Sequence, residues 1–179
     1  MQEKPFDFNL VKVVIKKGDK GEDKEILLNK KWTYDNIKHF RPVIEGVTND
    51  EGIEITLTCN LEAFQFIVEY LKAEEDSPRE KLFDKVNFEN CLNILVTADF
   101  LKLDVVYDAI WYDYFEANFA NVIDKCQLNL TSICQRVVTD VAQKITLESL
   151  LELKDRGDKF ISNVFRHRID LLLRKVDFY

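Results

Sequence analysis

Residues 10–16 read Leu-Val-Lys-Val-Val-Ile-Lys, a β-branched run that suits a pleated sheet. Residues 17–23 are polar and carry Gly18 and Gly21, which predicts a turn. Glu25 to Leu28 resumes an apolar strand, so the chain opens on a predicted β-hairpin with a loop longer than the tight turn type. Trp32 to Phe40 predicts a short helix with Thr33 or Asp35 near its cap, interrupted or ended by Pro42. Gly46 to Gly52 reads as a polar loop. Ile53, Ile55 and Leu57 then alternate with Glu54 and Thr56, the period of a half-buried strand.

Beyond this strand the period changes to that of helices. Asn60 is a plausible N-cap for a helix carrying Leu61, Phe64, Ile67 or Val68, and Leu71 on one face. Lys72 to Lys81 is charged, contains Ser77-Pro78, and predicts a surface loop. Asn87 or Asn90 caps the next helix, with Leu92, Leu95, Val96 and Phe100 along one face. Asp104 opens another helix through about Asn118, apolar nearly all the way round. The C-terminal third is helical. Leu130, Ile133, Cys134, Val137, Val138 and Val141 form an amphipathic stripe, Thr146 caps a short helix with Leu147, Leu150 and Leu151, and Lys154 to Lys159 is a polar break. The last helix carries Ile161, Val164, Phe165, Ile169 and Leu172.

Composition narrows the function. Hydrophobic residues make up 46% of the 179, enough to build a core and to set aside disorder. The net charge of −7 repels phosphate backbones, so nucleic acid is not the expected partner. No run approaches the length of a membrane-spanning helix, and the first nine residues lack an apolar signal core, so a cytoplasmic location without membrane contact is expected. On that expectation the sequon Asn129-Leu130-Thr131 marks a helix start and not a glycan.

Catalytic and metal chemistry finds little to stand on. Cys59, Cys91, Cys126 and Cys134 form no C-x-x-C pair, and with His39 and His167 they show no zinc spacing. Cys91 and Cys134 are read as packing thiols on apolar helix faces. Gly18 and Gly21 lack the following Lys-Ser/Thr and helix of a phosphate loop. Glu74-Glu75-Asp76 lacks the EF-hand spacing and reads as solvated loop. Neither histidine has a nucleophile nearby in sequence. No catalytic residue, metal or cofactor is therefore assigned. Aromatic residues are in excess instead: Tyr107, Trp111, Tyr114 and Phe115 crowd one helix and Phe119 follows, a set that suits either a core or a partner interface. Phe6 and Phe8, in a short N-terminal arm over residues 1–9, are of a type that docks on a partner.

Strand Ile53 to Leu57 running into Leu61-Glu62-Ala63-Phe64-Gln65-Phe66-Ile67-Val68-Glu69-Tyr70-Leu71 is followed by Cys91-Leu92-Asn93-Ile94-Leu95-Val96-Thr97-Ala98-Asp99-Phe100-Leu101-Lys102-Leu103 and then Val105 to Tyr114. These segments resemble the BTB/POZ and Skp1-like family over residues 10–120. Residues 154–165, Lys154-Asp155-Arg156-Gly157-Asp158-Lys159-Phe160 to Phe165, resemble the segment beyond the BTB core of the SANT-and-BTB regulator group. The resemblance implies an α+β fold, a small three-stranded sheet covered by helical hairpins, with a C-terminal helical extension over residues 121–179. It implies a non-enzymatic scaffold that binds other proteins by homo- or hetero-oligomerisation, for example as a subunit of a cytoskeletal or ciliary assembly. The alternative it implies is a substrate adaptor of a cullin-type ubiquitin ligase. Cullin-binding members carry an apolar-x-Glu motif, and Val43-Ile44-Glu45 imitates it, which makes Val43 and Glu45 the candidate cullin contacts. The sequence departs from the family's Ser-Pro-x-Phe segment: in Trp32 to Pro42 only Phe40 keeps the pattern.

Overall fold

The computed structural model describes residues 9–16, 22–47, 52–73, 78–125, 134–153 and 159–176. β1 (Leu10–Ile15) and β2 (Lys24–Asn29) pair antiparallel with Val13 opposite Ile26. β3 (Ile53–Leu57) lies parallel to β1 on its other side, so the three-stranded sheet has the order β2-β1-β3. The loop expected at 17–23 lies mostly outside the described residues, as do Phe6 and Phe8. A parallel pair needs a crossover, and the helical segment between β2 and β3 supplies it.

The pleat sorts the side chains. Val11, Val13, Ile15, Ile53, Ile55 and Leu57 face the core and are buried. On the opposite face Lys12 of the central strand bridges Glu25 at 2.8 Å and Glu54 at 3.0 Å, tying both neighbours to β1.

α1 (Lys30–Asn36) starts directly from β2, and its cap is Asn29, whose side chain accepts from the Trp32 amide at 3.0 Å. The expected caps are therefore corrected. Thr33 lies inside the helix, buried, with its hydroxyl donating to the Asn29 carbonyl at 2.7 Å, and Asp35 is near the helix end. A 3-10 turn (Lys38–Phe40) leads into α2 (Arg41–Gly46). Pro42 opens this helix instead of ending one, because the first turn has no use for its missing N–H. Gly46, expected in a loop, is the last residue of α2, and residues 48–51 lie outside the described ones.

α3 (Leu61–Lys72) has the expected cap: Asn60 accepts from the Ala63 amide at 2.9 Å. α4 (Pro78–Phe83) occupies the end of the stretch expected to be loop, while Glu74, Glu75 and Asp76 lie outside the described residues. α5 (Cys91–Phe100) is the central helix. Cys91, Leu92, Ile94, Leu95, Val96 and Ala98 are all buried, so it is covered on nearly every side and not along one face. Asn87 and Asn90 share the turn before it: Asn90 accepts from the Asn87 amide, and Asn87 accepts from the Glu89 and Asn90 amides.

α5 ends with Lys102 at φ 56°. The Leu103 amide donates to the Ala98 carbonyl and the Lys102 amide to the Asp99 carbonyl, both at 2.9 Å. This is a Schellman motif with lysine at the left-handed position that favours glycine. Lys102→Gly is expected to raise the unfolding free energy by about 1 kcal/mol, as a higher urea midpoint at unchanged slope.

α6 (Asp104–Ile110) was expected to run to about Asn118. It passes at Trp111–Phe115 into a π-helical turn, and α7 (Phe119–Lys125) follows. The boundary expected after residue 120 falls inside α7. α8 (Gln135–Lys144) buries Val137, Val138 and Val141, while Leu130, Ile133 and the Asn129 sequon lie outside the described residues. α9 (Leu147–Leu153) has Thr146 as its cap, accepting from the Ser149 amide at 3.1 Å. α10 (Lys159–Val176) buries Ile161 and Val164. One contiguous core runs from Val11 of β1 to Val164 of α10, so the C-terminal helices share it with the sheet.

Candidate functional site

Three of the five aromatic residues named as a candidate interface are turned into the core. Tyr107, Trp111 and Phe115 are buried. They form a ladder: Tyr107 and Trp111 stack with centroids 6.0 Å apart, Trp111 and Phe115 at 4.5 Å, and Phe119 meets Phe115 edge-on at 5.3 Å. Tyr114 and Phe119 are half-buried against the core, Tyr114 beside Phe88. The aromatic left outside is Tyr112, 64% exposed, which sequence reasoning passed over. A helix that is apolar all round does not announce which side meets solvent.

α8 lies against this helix along a charged groove of about 500 Å³. Arg136 sits over the Tyr107 ring at 3.8 Å and bridges Asp104 at 2.6 Å and Asp108 at 3.0 Å. Tyr107 donates to Asp140 at 2.6 Å. Burial, and then this hydrogen bond, push the Tyr107 phenol above its usual range. Lys144 bridges Glu116, which also accepts from the Trp111 indole at 3.2 Å. These charges answer one another across the seam. The groove reads as a clasp that fixes α8 to α6, not as a place prepared for a ligand.

Two of the thiols are held protonated. Burial pushes Cys59 up to about 11. Cys134 was expected on an apolar face. It stands at the N-cap of α8, where its thiol donates to Asp99 at 2.8 Å, and burial followed by that contact pushes it up to about 11. Cys91 is buried, and Cys126 lies outside the described residues. Thiols raised in this way are poor nucleophiles at neutral pH. Among the described residues no group of three His, Cys, Asp or Glu is placed to hold a metal ion, and no helix is long and apolar enough to cross a membrane.

Among the exposed large apolar side chains of the described residues are Val43 on α2 and Phe100 at the end of α5. The His39 ring lies against Phe100, centroids 5.0 Å apart. Val43 lies four residues after His39, across the junction from the 3-10 turn to α2. Val43 is 44% exposed and Phe100 45%, large apolar surface left to solvent. Partial burial, helped by the charge of Lys102, lowers the His39 pKa and keeps the ring neutral at pH 7. Glu45 is exposed beside the patch and accepts from the Tyr34 hydroxyl at 2.5 Å. Arg41 stacks over the Tyr34 ring at 5.0 Å and donates to the Tyr34 carbonyl at 2.8 Å, which fixes the tyrosine that holds Glu45. The structure thus brings the two candidate cullin contacts, Val43 and Glu45, onto one short helix. It adds His39 and Phe100, which sequence reasoning missed because they lie on segments distant in the chain. His167 is half-buried on α10, away from any of these groups in sequence. No protein-family model matches the chain.

Proposed function

We propose that this chain is a BTB/POZ-type protein-interaction module, a non-enzymatic scaffold that joins other proteins into an assembly. The observation that carries the reading is the contact of the His39 ring with the solvent-facing Phe100, with Val43 also exposed on α2, four residues after His39. The element order supports the family reading: a hairpin, two short helices, a third strand parallel to the first, and then the helical hairpin α5–α6 at the centre. Isolated exposed apolar side chains are ordinary, but a clustered set on a polar protein marks a contact surface. A cytoplasmic assembly, cytoskeletal or ciliary, is the setting we propose for it.

The second reading, a cullin-type ubiquitin-ligase adaptor, is supported by the exposure of both residues of the apolar-x-Glu motif, Val43 and Glu45, on α2. One experiment tests both. The chain is purified from its native source with its co-purifying proteins, and their stoichiometry is quantified. Val43→Asp is expected to reduce the bound partner roughly tenfold or more, with the circular dichroism spectrum unchanged. A cullin with ring-finger components that Glu45→Ala also releases supports the adaptor reading. A fixed-ratio set of structural proteins supports the scaffold. Retention of every partner by Val43→Asp rejects the patch.

A further inference from the structure

The register of the hairpin decides which backbone groups of β2 are used inside the sheet. The Lys30 amide donates to the Asn9 carbonyl at 2.6 Å, and the pairing of Leu10 with Asn29 sets those two residues directly opposite. In an antiparallel ladder, bonded pairs alternate with unbonded ones. The bonded pairs that follow are therefore Val11 with Leu28, Val13 with Ile26 and Ile15 with Lys24. The far side of β1 agrees: the Lys16 amide donates to the Leu57 carbonyl of β3 at 2.8 Å, so the even-numbered residues of β1 serve β3. On β2 the N–H and C=O groups of Glu25 and Leu27 consequently point away from β1. Among the described residues no strand lies on that side, because β2 ends the sheet, and no hydrogen bond reaches those groups. Glu25 and Leu27 are both exposed, Leu27 by 58%.

A row of open backbone groups is answered by an extended segment laid alongside it. This edge lacks the usual guards, with no proline in β2 and the apolar Leu27 near its middle. The side chains say which segment fits. Two copies of β2 can lie antiparallel about a two-fold axis through Leu27. The Leu27 N–H and C=O groups of the two copies then bond each other. The Glu25 carbonyl meets the Asn29 amide, the Asn29 carbonyl being taken already by the Thr33 hydroxyl. In this register Leu27 faces Leu27 of the second copy on the outer face, Ile26 faces Leu28 on the core face, and Glu25 faces the neutral Asn29. Apolar lies against apolar, and Glu25 meets no carboxylate. Lys24 meets Lys30 only at the two ends, where water and salt screen the pair. A slip of two residues sets Leu27 against Glu25 instead, so the side chains favour one register.

We infer that β2 is the edge through which two copies of this chain join, antiparallel about Leu27, into one continuous sheet. The inference goes beyond the α2 reading and uses none of its residues.

The test is sedimentation of the full chain over a range of concentrations, which is expected to show a passage from one copy to two. Leu27→Asp and Leu27→Lys each set like charges face to face on the axis, and each is expected to weaken association roughly tenfold or more. Because Leu27 opposes only itself, a mixture of these two variants is expected to recover association as a heterodimer. Leu27→Pro removes an N–H that the hairpin does not use, and is expected to abolish the dimer with the circular dichroism spectrum unchanged. Val43→Asp is expected to leave the dimer intact. A chain that stays single at every concentration, a dimer indifferent to Leu27→Asp, or a mixture of the two charged variants that stays single overturns the inference. A single chain that loses native partners through Leu27→Pro assigns the edge to an extended segment of another protein and overturns it equally. If Val43→Asp dissolves the dimer and Leu27→Asp does not, the contact belongs to α2 and this inference falls. If the Leu27 variants behave as expected while no native partner depends on Val43, the α2 reading falls and the sheet edge stands.

Discussion

Phe115→Ala is expected to lower the unfolding free energy by about 3–5 kcal/mol, the range for emptying a buried aromatic site. Phe115 is wholly buried and is the middle rung between Trp111 and Phe119. Its removal opens a void and also strips two ring contacts that add to plain burial. Its neighbour Tyr112, 64% exposed, supplies the contrast: Tyr112→Ala is expected to change stability by no more than about 0.5 kcal/mol. Urea melts of both variants, with the slope held in common, read the difference directly. A mild effect at Phe115 joined to loss of a partner would return the aromatic helix to the role of an interface. The π-helical turn over Trp111–Phe115 is what separates the two residues' fates. It inserts an extra residue into the turn and changes which side chains the following stretch presents to the core.

The same turn shows where sequence reading stops. Alternation in Ile53 to Leu57 and the stripe Val137, Val138, Val141 are local patterns, and each names its buried face without help. Asn60 and Thr146 announce their caps because each precedes its helix by one residue and itself lies outside any strand. Asn29 gives no such signal: it ends a strand and caps a helix at once, so the eye moves on to Thr33. Lys102 hides its left-handed turn because the usual marker there is glycine. The patch was half legible. Val43 and Glu45 stand together in sequence, but the contact of His39 with Phe100 is made only by the fold. The aromatic excess around Trp111 was visible, and its burial was not, since an all-apolar helix has the same composition in a core as at a contact.

Arg136→Met is expected to loosen the C-terminal helices by about 1–3 kcal/mol, less than for a fully buried pair because the side chain is 34% exposed. Methionine keeps much of the stem's packing on Tyr107 but leaves Asp104 and Asp108 without their cation and places nothing charged against the ring. Hydrogen exchange locates the loss. α8 is packed closely on α10, clasped to α6 through Arg136 and Asp140, and tied to Glu116 through Lys144, so α8 and α10 are expected to open together. Their amides are expected to exchange roughly 5–150-fold faster, while those of β1 and α3, deep in the core, change less. Arg136→Lys is expected to recover only part of the protection, because one ammonium cannot match the fork that meets Asp104 and Asp108 at once or lie flat on the ring. Uniform acceleration across β1, α3 and α8 would instead show the shared core acting as one cooperative unit, with the clasp an ordinary part of it.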